Sequence, residues 1–165
     1  MHKVLVFTAT YNEAANIGPW IEGVAQAIPS ADILIIDDSS PDHTANVITE
    51  SARTYPQVRL HSRAGKQGLS SAHIYAMQYA LDNGYDALVT MDADGSHQPA
   101  QIPAVLGALT DGLSTANFCI GTRTRGGSHQ AALPRRVLSH GANITARILL
   151  PMGISEYTTS FRAFD

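Results

Sequence analysis

Short, continuous apolar runs that alternate with helix-periodic segments and end in acid-bearing turns constrain this chain more than any other feature. Residues 3–8, 33–36 and 87–91 are rich in β-branched side chains and show no polar alternation. Strands of that kind are covered on both faces, the pattern of a parallel sheet. Residues 58–60 predict a shorter strand and 115–120 a further one. Between them, 12–28 carries Ile17, Ile21, Val24 and Ala25 at helical spacing, with Asn12 placed as a cap and Pro29 as a stop. Residues 44–54, 70–83 and 102–109 also predict helices, and Gly84 stands where a C-terminal cap belongs. Tyr75, Met77 and Tyr79, at helical spacing, are expected in the core. Strand and helix at this rhythm, joined by right-handed crossovers, predict a Rossmann-like α/β architecture with a mostly parallel central sheet. At 165 residues the chain is expected to form one domain.

In an open parallel sheet, ligands bind beyond the carboxyl ends of the strands, so the residues just after each apolar run carry the chemistry. The first run leads into Thr10-Tyr11-Asn12-Glu13, the second into Asp37-Asp38-Ser39-Ser40-Pro41-Asp42, and the fourth into Asp92-Ala93-Asp94-Gly95-Ser96-His97. Carboxylates crowded on one sheet edge repel one another unless positive charge sits among them. Asp92 and Asp94, one residue apart at a strand end, suit a hard divalent cation, Mg²⁺ or Mn²⁺, whose shell is completed by substrate phosphates. Asp37 and Asp38 suit ribose hydroxyls and a base N–H, or the cap of the next helix; Asp38 is expected to face ligand and Asp42 the helix end. Neither G-x-G-x-x-G nor G-x-x-x-x-G-K-[ST] occurs, which argues against a dinucleotide or P-loop site. His97, next to the acidic turn, is placed to support a metal shell, whereas the other histidines have no such context.

Charge is uneven along the chain. From Gly112 to Ser155 there is no Asp or Glu, yet Arg123, Arg125, Arg135, Arg136 and Arg147 all fall there. The plain reading is a solvated basic face, and the functional one is an anionic partner. The net charge of −3 and the absence of aromatics among those arginines speak against nucleic acid. Cys119, in an apolar run, reads as a buried inert thiol. No run approaches the ~20 apolar residues of a spanning helix, and no signal peptide is apparent, so the chain by itself reads as cytoplasmic. Residues 121–133, with Gly126, Gly127 and Ser128, predict a mobile loop. Residues 134–150 form an amphipathic segment that suits packing on the sheet or, less simply, a membrane surface.

Taken together, these motifs resemble family 2 glycosyltransferases, in particular the dolichol-phosphate and polyprenol-phosphate mannosyltransferases. The family's P-T-Y-N-E is similar to Ala9 to Glu13, its D-D-G/S-S-P-D-G-T to Asp37 to Thr44, and its K-x-G-L to Lys66 to Leu69. Its M-D-A-D-L-S-H-x-P resembles Met91 to Pro99, and G-T-R resembles Gly121 to Arg123. Its R-x-x-S-R-G-A-N is similar to Arg136 to Asn143, and D-x-T-S-G-F-R to Glu156 to Arg162. Ala9, His43, Gly95, Thr124 and Ser160 depart from the family's pattern.

The resemblance implies a GT-A fold and an inverting transfer of mannose from GDP-mannose to a polyprenyl or dolichyl phosphate. It implies Thr10, Tyr11, Glu13, Asp37, Asp38, Lys66 and Asp92 at the donor nucleotide, with Tyr11, Glu13 and Asp38 on the guanosine. It implies Asp92, Asp94 and Ser96 around Mg²⁺ or Mn²⁺, and Arg123, Arg136 and Arg162 at the acceptor phosphate; Asp94, Arg123 and Arg136 carry the catalytic burden. Family members continue into C-terminal helices, so residues 1–165 are expected to be a catalytic domain without that extension. The implied setting is peripheral, at the cytoplasmic face of a membrane, with a membrane surface or membrane-embedded partner. Two rival readings are a UDP-sugar-dependent enzyme acting on polyprenyl phosphate, and a catalytically weak nucleotide- and metal-binding module.

Overall fold

The computed structural model describes residues 3–110, 117–121 and 159–165. Four parallel strands form its centre: β1 (Val4–Thr10), β2 (Asp32–Asp37), β3 (Val58–Ser62) and β4 (Ala87–Thr90). Helices α1 (Ala14–Ala27), α2 (Thr44–Thr54) and α3 (Leu69–Asp82) connect them, and α4 (Ile102–Thr110) follows β4 after a 3₁₀ turn at Pro99–Gln101. Two short strands, β5 (Phe118–Ile120) and β6 (Arg162–Phe164), complete a six-stranded sheet of order β3-β2-β1-β4-β6-β5. β6 runs antiparallel to both β4 and β5. The expected mostly parallel α/β architecture is therefore the one observed, and β6 is the addition. Three residues, Arg-Ala-Phe, carry no strand signal of their own; pairing with β4 and β5 makes them a strand.

The continuous apolar runs bury both faces of the sheet. Val4 and Val6, Ile33 and Ile35, and Val89 and Met91 join Trp20, Ile21, Ile48 and Ile102 on the side of α1, α2 and α4. Leu5, Phe7, Leu34, Ile36 and Leu88 point the other way, against α3. There the helix presents Ala72, Ala76 and Ala80, small residues four apart that make one close-packing face. This corrects the expected core membership of α3. Tyr75 and Met77 are each 38% exposed, and only Tyr79 packs partly against the core. Helical spacing identifies a stripe but not which stripe faces the sheet, and here alanines allow the closer approach.

α3 ends as expected. Gly84 takes φ +64, its N–H donates to Leu81 O at 3.2 Å, and Tyr85 N–H donates to Ala80 O at 3.0 Å. That pair of bonds is a Schellman motif, which needs a left-handed residue after the helix. The start of α1 differs from expectation: Asn12 lies outside the helix at φ 61, and Glu13 occupies the cap position without a side-chain cap bond. Among the described residues, no helix is long and apolar enough to cross a membrane.

Candidate functional site

The parallel register brings the carboxyl ends of three strands side by side. Thr10 of β1 pairs with Asp37 of β2, and Phe7 of β1 with Thr90 of β4. The strand order reverses between β1 and β4, the point at which an open α/β sheet leaves a crevice. Tyr11–Glu13 border that crevice on one side and Asp92–Ser96 on the other.

The loops after β1 and β2 are fastened to each other. Asn12 N–H donates to Ser40 Oγ at 3.0 Å, Glu13 N–H to Thr44 Oγ1 at 3.0 Å, and Ala14 N–H to Asp42 Oδ2 at 2.9 Å. The start of α1 is thus capped by residues about thirty positions further along the chain, and Asn12 is not needed for that task. Asp42 also accepts from Thr44 N–H and Thr44 Oγ–H, so it meets two helix ends with one carboxylate, consistent with its expected place at a helix start. Among the described residues the non-glycine positions with positive φ are Asn12, Ser39 and His43, all in these two loops. Left-handed backbone costs a side-chain-bearing residue energy, and such residues collect at functional sites. His43, at φ 67, stands where the resembling family carries glycine, which gives that departure a steric meaning.

The Thr44 hydroxyl, followed by the Ala14 N–H, holds the Asp42 carboxyl below its ordinary value of 3.8. A group whose folded pKa is lowered adds stability above its unfolded value and loses it as pH falls through the folded one. Asp42→Asn is therefore expected to flatten the acid side of the stability profile. Thermal unfolding from pH 6 to pH 2.5 should show the variant less stable near neutrality and converging on the wild type in acid. Parallel profiles would remove Asp42 from this role.

Asp37 and Asp38 are both buried, but they are held differently. Asp37 accepts from Thr10 Oγ–H at 2.9 Å, from Ser40 N–H at 3.0 Å and from Ser40 Oγ–H at 2.5 Å, so its oxygens serve the two loops. Asp38 forms an ion pair with Arg63 and accepts from Gln67 N–H at 3.1 Å. Arg63 has no counterpart among the residues singled out from sequence. Its signal was position: it follows β3 directly, at the same sheet edge, but that strand end carries a base rather than an acid. Lys66 and Tyr11 are brought together, with Lys66 Nζ 4.2 Å from the centre of the exposed Tyr11 ring. Glu13 is partly buried and accepts from Asn16 Nδ2 at 2.7 Å.

Beyond β4 the turn opens to solvent. Asp92 is partly buried, and Asp94 and Ser96 are exposed, with Asp94 Oδ1 accepting from Ser96 N–H at 2.9 Å. Gly95 between them takes φ +78, a conformation glycine adopts readily. His97 is buried, its Nδ1 3.2 Å from Ser96 Oγ and its Nε2 3.1 Å from Thr159 Oγ1. Thr159 O in turn accepts from Arg162 Nε–H at 3.0 Å. The acidic turn and the Arg162 segment are therefore joined through one imidazole. Gly121 reaches the same segment: its N–H donates to Phe161 O at 2.9 Å, and a Cβ there would lie 2.5 Å from the Phe161 ring. Cys119 is partly buried rather than buried as expected, and its desolvation raises the thiol pKa. Arg123 and Arg136, with the segments 121–133 and 134–150 expected to be loop and amphipathic helix, lie outside the described residues apart from Gly121.

Among the described residues, no three His, Cys, Asp or Glu side chains converge as a self-sufficient metal cage. Asp92 and Asp94 still fit a hard cation, because Mg²⁺ and Mn²⁺ are commonly held by one or two carboxylates together with substrate phosphates. The sheet order and acid-lined edge define a GT-A glycosyltransferase-type domain. The chain belongs to glycosyl transferase family 2, whose model matches residues 5–165. It is 36% identical over 164 residues to an undecaprenyl-phosphate mannosyltransferase of Micrococcus luteus, spanning 98% of this chain and 66% of that protein. It is 38% identical over 165 residues to a polyprenol monophosphomannose synthase of Mycolicibacterium smegmatis, spanning 98% of this chain and 61% of that protein. The chain thus spans about two thirds of the length of these curated relatives. In fold it is similar to a glucosyl-3-phosphoglycerate synthase of Mycobacterium tuberculosis solved with Mn²⁺ and UDP (TM-score 0.74, 18% identity, 99% of this chain and 57% of that one). It is also similar to a mannosyltransferase of Pyrobaculum calidifontis solved with GDP-Man and Mn²⁺ (TM-score 0.62, 22% identity, 75% of this chain and 37% of that one).

Proposed function

We propose that residues 1–165 are the catalytic domain of an inverting mannosyltransferase that passes mannose from GDP-mannose to a polyprenyl phosphate. The observation that carries this reading is one sheet edge on which Tyr11 and Lys66, Asp38, and the Asp92–Ser96 turn lie together. The names of the two curated relatives, an undecaprenyl-phosphate mannosyltransferase and a polyprenol monophosphomannose synthase, support a prenyl phosphate as acceptor. In this reading Tyr11 and Lys66 flank the nucleotide, Asp38 accepts from the base, Thr10, Glu13 and Asp37 hold the loops that shape the pocket, and Asp92 orients the ribose. Asp92, Asp94 and Ser96 would hold a divalent cation, Mg²⁺ or Mn²⁺, whose charge would offset that of the diphosphate leaving group. Arg162, with Arg123 and Arg136, receives the acceptor phosphate through planar guanidinium donors.

That acceptor needs little activation. A phosphate monoester loses its second proton near pH ~6 and is already a nucleophile at neutral pH, so no strong general base is required. The work of the chain is then to position the two substrates in line and to keep water out. A lipid-linked acceptor of this kind would be met at a membrane surface, and the cytoplasmic face is the side this reading expects. A UDP-sugar donor is the second reading, since a protein of the same fold has been solved with Mn²⁺ and UDP.

Calorimetry with GDP, GDP-mannose, UDP and UDP-glucose, each with and without Mn²⁺, separates the two. Metal-dependent binding of the guanosine ligands alone is expected, followed by transfer of labelled mannose to a short-chain polyprenyl phosphate. Preference for the uridine ligands would install the second reading, and absence of metal-dependent binding to all four would end both.

A further inference from the structure

We propose that Arg63 is the positioning residue for nucleobase recognition, fixing the acceptor edge of Asp38 and the loop that carries Lys66 as one unit. The inference rests on the nucleotide-binding reading above and adds to it the residue that sets base discrimination.

The guanidinium is almost wholly enclosed, its side chain 6% exposed against 9% for Asp38. Its three guanidinium nitrogens are spent on two pieces of chain, the turn after β2 and the start of α3. Nε–H donates to Asp38 Oδ1 beyond β2, Nη1–H to Ser71 Oγ at 2.7 Å in the first turn of α3, and Nη2–H to Gly68 O at 3.2 Å just before it. Main-chain bonds seat the residue itself: Arg63 N–H donates to Asp37 O at 2.9 Å, and Ser39 Oγ–H donates to Arg63 O at 2.6 Å. The second oxygen of Asp38 accepts from Gln67 N–H at 3.1 Å. Gln67 is the neighbour of Lys66, whose ammonium lies over Tyr11. One planar fork therefore decides which way Asp38 points and where the Lys66 loop sits relative to Tyr11.

A carboxylate with Oδ1 given to a guanidinium and Oδ2 to a backbone amide has a fixed direction for its remaining lone pairs. A ring N–H of a base must meet that direction, so small rotations of Asp38 alter which base fits. Lysine has one charged nitrogen on a flexible stem and cannot reproduce the three-way geometry. A purely structural ion pair would lower stability when altered but leave base preference unchanged.

The test compares wild type, Arg63→Lys and Ser71→Ala. Ser71→Ala removes one partner of the fork and keeps the ion pair, so it serves if Arg63→Lys does not fold. GDP and UDP affinities are measured by calorimetry with Mn²⁺, at a temperature where circular dichroism shows each protein folded. The loss of a hydrogen bond to a charged group corresponds to about tenfold in affinity. Arg63→Lys is therefore expected to bind the preferred nucleotide about tenfold more weakly and to lower the preferred-to-other ratio. Ser71→Ala should move both in the same direction by a smaller factor. With sugar donor and acceptor, KM for the donor should rise while kcat at saturation stays within about twofold. An unchanged ratio and unchanged affinities in the folded variants overturn the inference alone. A wild type that binds neither nucleotide overturns the nucleotide-binding reading and this inference with it.

Discussion

Asp94→Asn is expected to reduce nucleotide binding in Mn²⁺ to the level seen without metal, and to slow sugar transfer by about 10³-fold. The magnitude follows from a metal contribution of several kcal/mol to stabilising the leaving diphosphate, at about 1.4 kcal/mol per factor of ten. The substitution isolates charge from shape. An asparagine carbonyl still accepts from Ser96 N–H, the bond that orders the turn at 2.9 Å. Asp94 is exposed, so unfolding free energy should change by no more than about 0.5 kcal/mol. Calorimetry and a labelled-sugar transfer assay, run beside urea unfolding, read both quantities. Full metal-dependent binding by the variant would remove Asp94 from the metal site.

Arg63→Met should instead act on stability. It leaves the Asp38 carboxylate buried without its counter-ion, a change that costs about 3–5 kcal/mol when one partner of an enclosed pair is removed. Against a whole-domain stability of about 5–15 kcal/mol this is a large fraction. The double variant Arg63→Met/Asp38→Leu removes both charges and should recover much of the loss, since apolar replacement of a buried pair is often neutral. Urea unfolding with unchanged m-values is the measurement. Equal destabilisation of single and double variants would show that the fork to Ser71 and Gly68, rather than the charge pairing, is what the fold needs. That result would still agree with the positioning role, whose readout is base preference and not stability.

Among the described residues, stabilising bonds between the first two loops are dominated by side chains acting over long sequence separations, and this marks where sequence reading stopped. Asp42 could be placed at a helix start because carboxylates cap helices locally. That it also caps α1, at Ala14, depends on β1 and β2 being neighbours in register. Asn12 has the right chemistry for a cap, yet at φ 61 it turns the chain into the helix while others do the capping. In the same way Asp37 and Asp38 look equivalent in sequence. In space, Asp37 faces Thr10 and Ser40 while Asp38 meets Arg63 and Gln67.

The alternation of strand and helix was legible along the chain, because runs such as 33–36 are apolar and β-branched enough to read as strands covered on both faces. Also legible were the acids at the strand ends, where a parallel sheet leaves its crevice, and the motifs of the family. Folding alone set β6 beside β4, turned alanines rather than Tyr75 and Met77 to the inner face of α3, and brought Arg63 against Asp38. The physical reason is common to all three. Backbone periodicity and local capping act within a few residues and are written along the chain, whereas partner choice for an edge strand, a helix face or a buried charge is set by neighbours that only folding brings close.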